Sequence, residues 1–311
     1  MPVKPDGTVY LSDEWADTQI GVDGTQGCLR SLALLKQQNR YLKLILSVGG
    51  GGTGSQHFAE VAAEPMTRET FSRTARDLVV RFQLDGLDID WEHPSDSQQG
   101  VNYIFLLDAV RRYLPAPHYI LTSALPAGEW ALENINLSVA HHYLDYINLM
   151  TYDFSGPWVD TCGHHAQLYS PALPHSDAAR LSCDSAVTYL RNVGVPPSKI
   201  VLGIPAFGRS FLGVDRVTRK YTGHGGDEGT FEYRDLPRPE AQEHVDREAG
   251  AAFCIGGDGG FVSYDNPTTV VMKATYATQN ELGGLFFWTG TADAPGPRSL
   301  VETAFKTLHN C

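Results

Sequence analysis

The chain has 311 residues, and its 36 acidic against 24 basic side chains leave a net charge of −12. That length suits one large domain, or one with a small insertion, and the negative charge argues against a nucleic-acid polyanion as partner while fitting a neutral substrate. No apolar run reaches the length of a membrane span, so no membrane partner is expected.

Taken in chain order, short apolar runs alternate with helical patterns. The stretch 28–40 (CLRSLALLKQQNR) has helical periodicity, and 42–50 (LKLILSVGG) reads as a buried strand ending in Ser47, Gly49 and Gly50. The glycine run SVGGGGTGS that follows has no lysine and no acid at a nucleotide-binding spacing, so it reads as a tight strand-to-loop turn. A helix is predicted over 67–82, capped by Thr67 or Thr70. Strand 84–92, helix 100–114, strands 119–127 and 144–154, helix 177–192, strand 199–211 and strand 283–290 complete the pattern.

Alternating strands and helices predict parallel β/α units. The strands end in polar or unusual residues, among them Met150, Tyr152, Asp153, Arg209 and Trp288. A β/α barrel builds its active site at that end of its strands. Residues 212–265 differ, being rich in glycine, charge and aromatic side chains. The predicted organisation is a barrel over 1–211 and 266–311 with a small α+β insertion over 212–265.

The cysteines are Cys28, Cys162, Cys183, Cys254 and Cys311. Their odd number and the lack of a C-x-x-C spacing signal neither a zinc site nor a disulfide framework. Cys162 and Cys183 are the nearest pair if one bridge forms in an oxidising compartment.

The stretch LDGLDIDWEHP, 84–94, places Asp85, Asp88, Asp90 and Glu92 among apolar neighbours. Side chains alternate along a strand, so Asp88, Asp90 and Glu92 share one face while Leu87, Ile89 and Trp91 share the other. The apolar set suits the helix side, which turns the acids into the barrel, with Asp88 deepest and Glu92 at the mouth. Three carboxylates in one column repel, so at least one keeps a proton and the set titrates together. A raised pKa on the outermost Glu92 suits a general acid. Metal binding would need further ligands, and His93 points to the opposite face from Glu92.

These residues resemble the D-G-x-D-x-D-W-E signature of glycoside hydrolase family 18, the chitinases. LSVGG, MTYDF, GIPAFGRSF and GGLFFWTG resemble further strands of that family in the right order. The resemblance runs from about Trp15 onward and is closest to fungal members with a small α+β insertion. It implies an α/β fold of the (β/α)8 TIM-barrel type and a substrate-assisted retaining mechanism. Glu92 would be the catalytic acid, Asp90 the partner of the N-acetyl nitrogen and Asp88 its deeper proton-sharing neighbour. Tyr152 would hold the acetamido oxygen. Gly49, Gly50, Asp85, Trp91, Met150, Asp153, Arg209 and Trp288 complete the implied substrate site. The implied partner is chitin or its N-acetylglucosamine oligosaccharides, with no cofactor and no metal.

Of the other tryptophans, Trp15 reads as a packing residue, while Trp130 and Trp158 fit packing or a sugar cleft equally. His164 and His165, adjacent on extended chain, point apart, giving one supporting position behind the site and one surface position. Two alternatives stand beside the chitinase reading: a chitin-binding protein without turnover, and an endo-β-N-acetylglucosaminidase. The latter is disfavoured by Trp91 and the MTYD strand.

Only about six of the family's eight strands are recognisable, so an N-terminally incomplete barrel is expected. Two missing strands expose sheet edges, a cost beyond the roughly 5–15 kcal/mol that a domain has in hand. A shortened gene model, strands supplied by another chain, and a weak fold are the three accounts left open. Thr289 stands where many relatives have an acid. The start MPVKPDGTVYLSDEW has no secretory pattern, so the chain as written reads as cytoplasmic, with secretion open for full-length relatives.

Overall fold

The computed structural model describes residues 1–174 and 176–310; Cys311 lies outside them. The chain divides into two compact units, one of Met1–Pro126 with Trp130–Ile147 and one of Ala127–Glu129 with Asn148–Cys311.

The first unit opens with the short helix Glu14–Thr18 and a hairpin, β1 (Gly21–Val22) and β2 (Thr25–Gln26), followed by the helix Cys28–Gln38. Then come β3 (Ile45–Gly49), β4 (Gly86–Asp90) and β5 (Ile120–Pro126), side by side and parallel. Helices Pro65–Arg81 and Ser97–Tyr113 connect them. The first of these begins at Pro65, earlier than the threonine caps predict. Proline suits that first turn because its missing N–H would have no helical partner there.

Leu87 and Ile89 of β4 and Phe58, Phe71, Leu106 and Leu107 on the helices are fully buried. Each such side chain contributes about 1.5–3 kcal/mol. At Gly86 the strands approach so closely that a Cβ would sit 1.9 Å from the Ile120 carbonyl oxygen. Any other residue there would push β4 and β5 apart, so this glycine sets the acid-bearing strand in place.

β6 (Tyr146–Met150) carries the chain from the first unit into the second. The second unit has β7 (Ile200–Pro205), then β8 (Phe207–Phe211), β9 (Thr230–Glu232), β10 (Gln242–Asp246), β11 (Ala251–Ile255), β12 (Phe261–Tyr264) and β13 (Gly284–Trp288). β7 and β13 pair in parallel, whereas β8 to β12 form an antiparallel sheet in the order β10-β11-β12-β8-β9.

The run 199–211, predicted as one strand, is therefore two strands belonging to different sheets. Pro205 has no N–H to continue a ladder, and the Ala206 N–H turns to the Trp288 carbonyl at 2.7 Å. The predicted helix 177–192 is likewise two, Asp177–Arg180 and Cys183–Asn192, the second capped by Ser182.

All six predicted barrel strands are present among the described residues, and the fold is α/β, parallel strands with connecting helices plus an antiparallel sheet. No helix of the described residues is long and apolar enough to cross a membrane. The described cysteines are free thiols. Cys162 packs with Phe211 and Phe261, while Cys183 faces the carbonyls of Thr151 and Ala166, so the predicted pair is not bridged. A fully buried ion pair, Lys273 with Asp265 at 2.5 Å, lies in the second unit, and Lys273 also donates to the Ala166 carbonyl at 2.6 Å.

Candidate active site

In the first unit the strand register assembles an acid centre. Ser47 on β3, Asp88 on β4 and Thr122 on β5 are direct neighbours across the sheet. Both hydroxyls donate to Asp88, Ser47 to Oδ2 at 2.8 Å and Thr122 to Oδ1 at 2.5 Å. Two hydroxyl donors stabilise a carboxylate that would otherwise be buried at high cost. Thr122 was not singled out from the sequence. Its signal was available, because aligning strand 119–127 against the acid strand by inward-facing positions brings it beside Asp88.

Asp90 is 8% exposed, and its Oδ1 has no hydrogen-bond partner among the described residues. Burial, then the charges of Glu92 and Asp88, raise its pKa to about 7. Asp90 is thus close to its protonation midpoint near neutrality, and the crowded column titrates as a coupled set.

Glu92 lies two residues past the end of β4 and is exposed. Its backbone N–H donates to Ser55 Oγ at 2.8 Å. A Cβ on Gly51 would stand 3.4 Å from Glu92 Oε2, so the glycine-rich loop runs against this carboxylate. Gly49 (φ 115°) is held where a Cβ would meet the Asp90 carbonyl at 2.1 Å, and the Gly50 N–H donates to that carbonyl at 2.8 Å. Both predicted glycines therefore stand beside the acids, for reasons of backbone approach.

Two other members of the predicted site stand elsewhere. Asp85 precedes β4, at the opposite end of the strand from Glu92. There it pairs with Lys36 at 2.7 Å and accepts the Leu44 N–H at 2.7 Å. Five residue steps lead from it to Asp90, roughly 16 Å along a strand. It ties down the strand's start instead of facing a substrate. Trp91 turns its ring to the helix side, stacked on Phe58 at 5.7 Å and tilted against Tyr103 at 6.2 Å. The alternation rule put it there, and its burial at 3% exposure leaves no face for a sugar.

Trp130, by contrast, is 62% exposed and meets the ring of His93 edge-on at 4.9 Å. Trp15 is also exposed, so the packing reading for it does not hold.

In the second unit, Asp153 lies at a positive φ of 62° and is gripped by Arg209 through two hydrogen bonds, Nε to Oδ1 at 2.7 Å and Nη2 to Oδ2 at 2.9 Å. His165 Nδ1 stands 3.6 Å from Asp153 Oδ1. Burial pushes the Asp153 pKa up, but His165 and Arg209 outweigh it and hold it at about 2. Arg209 lies on β8, in the antiparallel sheet, and its guanidinium sits 5.0 Å over the ring of Trp158. Tyr152 packs its ring against Phe207 and Phe286. Met150 closes β6, half-buried, and Trp288 closes β13, 55% exposed.

Neither of the paired histidines is a surface residue. The His165 side chain is fully buried behind Asp153, and the His164 side chain is 8% exposed, 3.5 Å from Asp246. Among the described residues no group of three or more His, Cys, Asp or Glu side chains is placed to hold a metal ion.

Comparison with known proteins follows this geometry. The family model described as "Glycosyl hydrolases family 18" matches residues 1–293. Chitinase 1 of Aphanocladium album is 35% identical, over 99% of this chain and 77% of the relative. A chitinase structure from Bacillus thuringiensis superposes with a TM-score of 0.89 at 29% identity, over 98% of this chain, which spans 58% of that one. A Cycas revoluta chitinase in complex with (GlcNAc)3 matches with a TM-score of 0.80 at 25% identity, over 91% of this chain and 84% of its own.

Proposed function

Because the chain belongs to glycosyl hydrolases family 18, we propose that it hydrolyses the β-1,4 bonds of chitin or N-acetylglucosamine oligomers, with Glu92 as general acid and base. The observation that carries this reading is the acid column itself. Asp88 is held by two hydroxyls, Asp90 is buried with one oxygen unpartnered and its pKa at about 7, and Glu92 is exposed at the end.

The chemistry follows from those differences. Exposed Glu92 protonates the glycosidic oxygen, and the substrate's own acetamido oxygen attacks the anomeric carbon as that bond breaks. Asp90 stays close to its protonation midpoint near neutral pH. It shares a hydrogen bond with the acetamido nitrogen and stabilises the positive charge of the oxazolinium intermediate as its own proton shifts toward Asp88. Water, deprotonated by Glu92, then opens the intermediate with net retention. The unpartnered Asp90 Oδ1 fits this role, since a buried carboxyl oxygen without a partner is satisfied when a donor arrives.

By resemblance of the motif, Tyr152 orients the acetamido oxygen, and Met150, Asp153, Arg209 and Trp288 serve substrate binding. The Cycas relative was solved with (GlcNAc)3, and the neutral N-acetylated sugar is the substrate class proposed here. Exposed Trp130, Trp158 and Trp288 offer the aromatic faces such sugars stack on.

The test is reducing-end release from an N-acetylglucosamine tetramer by the parent and by Glu92→Gln, both checked for cooperative unfolding. Turnover by the parent alone supports the assignment. A parent that binds the oligomer and releases no ends is a lectin-like protein. Release of glycans from a glycoprotein without cleavage of the tetramer is the endo-β-N-acetylglucosaminidase outcome.

A further inference from the structure

We propose that Ser55 is a positioning residue for Glu92, its hydroxyl serving as an extra rung that fixes the acid's backbone beyond the end of the sheet. The inference rests on the reading of Glu92 as the acid.

The last paired step between β3 and β4 is Gly49 with Asp90. Glu92 lies two residues further on, where the ladder no longer reaches. Its N–H would have no strand partner, yet it meets Ser55 Oγ at 2.8 Å. The same hydroxyl donates its proton to the Gly50 carbonyl at 2.9 Å, with the Asp90 carbonyl at 3.2 Å as a weaker second acceptor. One side chain thus joins the glycine loop to the strand's extension.

Ser55 is well suited to this. It closes the short helical turn Gly52–Ser55, so its backbone is held, and only one side-chain torsion must be ordered. The Gly50 N–H donating to the Asp90 carbonyl at 2.8 Å braces the same corner.

A carboxylate carried on a tethered backbone keeps its distance from the scissile oxygen and from Asp90. Small displacements of an acid are costly, on the order of a hundredfold for about 1 Å. Ser55 touches none of the reacting groups and acts through Glu92.

The test compares the parent, Ser55→Ala, Ser55→Thr and Glu92→Gln in tetramer hydrolysis, alongside carboxyl NMR titration of isotope-labelled aspartate. Ser55→Ala is expected to lower kcat about tenfold, the size of one lost hydrogen bond, with KM changed less than about twofold. The Asp90 midpoint, about 7 in the parent, is expected to fall in Ser55→Ala, because Glu92 no longer stands fixed beside it. Ser55→Thr, which keeps the hydroxyl, is expected to restore both.

Unchanged kcat and midpoint in Ser55→Ala overturn the inference, as does a loss of melting temperature alone. A Ser55→Thr as impaired as Ser55→Ala also overturns it, since the hydroxyl would then not be what matters. If Ser55→Ala fails to fold, Ser55→Cys replaces it: a partial loss in both readouts supports the role, and parental values in both overturn it. An active Glu92→Gln sinks the functional reading and this inference together. An inactive Glu92→Gln beside an unaffected Ser55→Ala sinks this inference alone. If the parent itself shows no turnover, the functional reading falls, and the Asp90 midpoint alone decides whether Ser55 holds Glu92 in place.

Discussion

Asp90 in the first unit and Asp153 in the second are the same side chain in two contrasting settings. Both are drawn out of water, which by itself raises a carboxyl pKa. Asp90 has Glu92 and Asp88 as its charged neighbours and is pushed to about 7. Asp153 has a bidentate guanidinium and an imidazole and is held at about 2. Burial is common to both, so the sign of the neighbouring charge decides which acid carries a proton near neutrality. One region is built so that a carboxyl can exchange its proton, the other so that a carboxylate never does.

The largest effect expected from breaking this contrast is at Glu92. Glu92→Gln is expected to lower hydrolysis of the tetramer by about 10²–10⁴-fold, the range for removing a general acid, as read by reducing-end release. The same change removes a negative neighbour, so the Asp90 midpoint should move down from about 7. A midpoint that stays put would mean that burial and Asp88 set it without Glu92.

Next is the pH dependence of stability. A carboxyl whose folded pKa lies above its unfolded value stabilises the fold fully only below the unfolded pKa, and this contribution is lost as pH rises through the folded one. The stability owed to the Asp90 proton should therefore decline between about pH 4 and pH 7, by on the order of a few kcal/mol. Asp90→Asn should flatten that slope in denaturant titrations across the same window. An unchanged slope would place the retained proton elsewhere.

Arg209→Met tests the opposite setting. It strips Asp153 of its guanidinium, so the Asp153 pKa should rise and stability at neutral pH should fall by about 1–3 kcal/mol, the buried-pair figure being discounted for partial exposure. Thermal unfolding at pH 7 and pH 3 checks this, with the loss expected to shrink at the lower pH as the stranded carboxylate takes up a proton.

The smallest effect is at Thr122. Thr122→Val removes one donor to Asp88 and should cost about 1 kcal/mol of stability. It should also make Asp88 easier to protonate, visible as a change in the coupled titration with Asp90.

Much of this was legible in the sequence wherever the physics is local. The six strands came from apolar runs bounded by glycine and polar residues. The inward column of acids came from the two-residue period of a strand, which also turned Trp91 to the helix side. Two placements depend on more than the motifs. Asp85 belongs to the same motif as Glu92, but motif membership says nothing about which end of a strand a residue occupies. There it binds Lys36 and the Leu44 N–H. Arg209 follows β7 without a visible break, yet Pro205 and Ala206 divert it into another sheet.

The sequence by itself determined the alternation of strands and helices and the shared face of Asp88, Asp90 and Glu92, because backbone geometry and hydrophobic period act over a few residues. Tertiary structure alone decided how far burial raises the Asp90 pKa, that Thr122 and Ser47 clasp Asp88, and that Ser55 reaches the Glu92 amide. Each of these depends on groups about 34 to 41 residues apart meeting within hydrogen-bonding or Coulombic range, or on how deeply a side chain is withdrawn from water. Strand register and burial set those distances, and no local pattern encodes them.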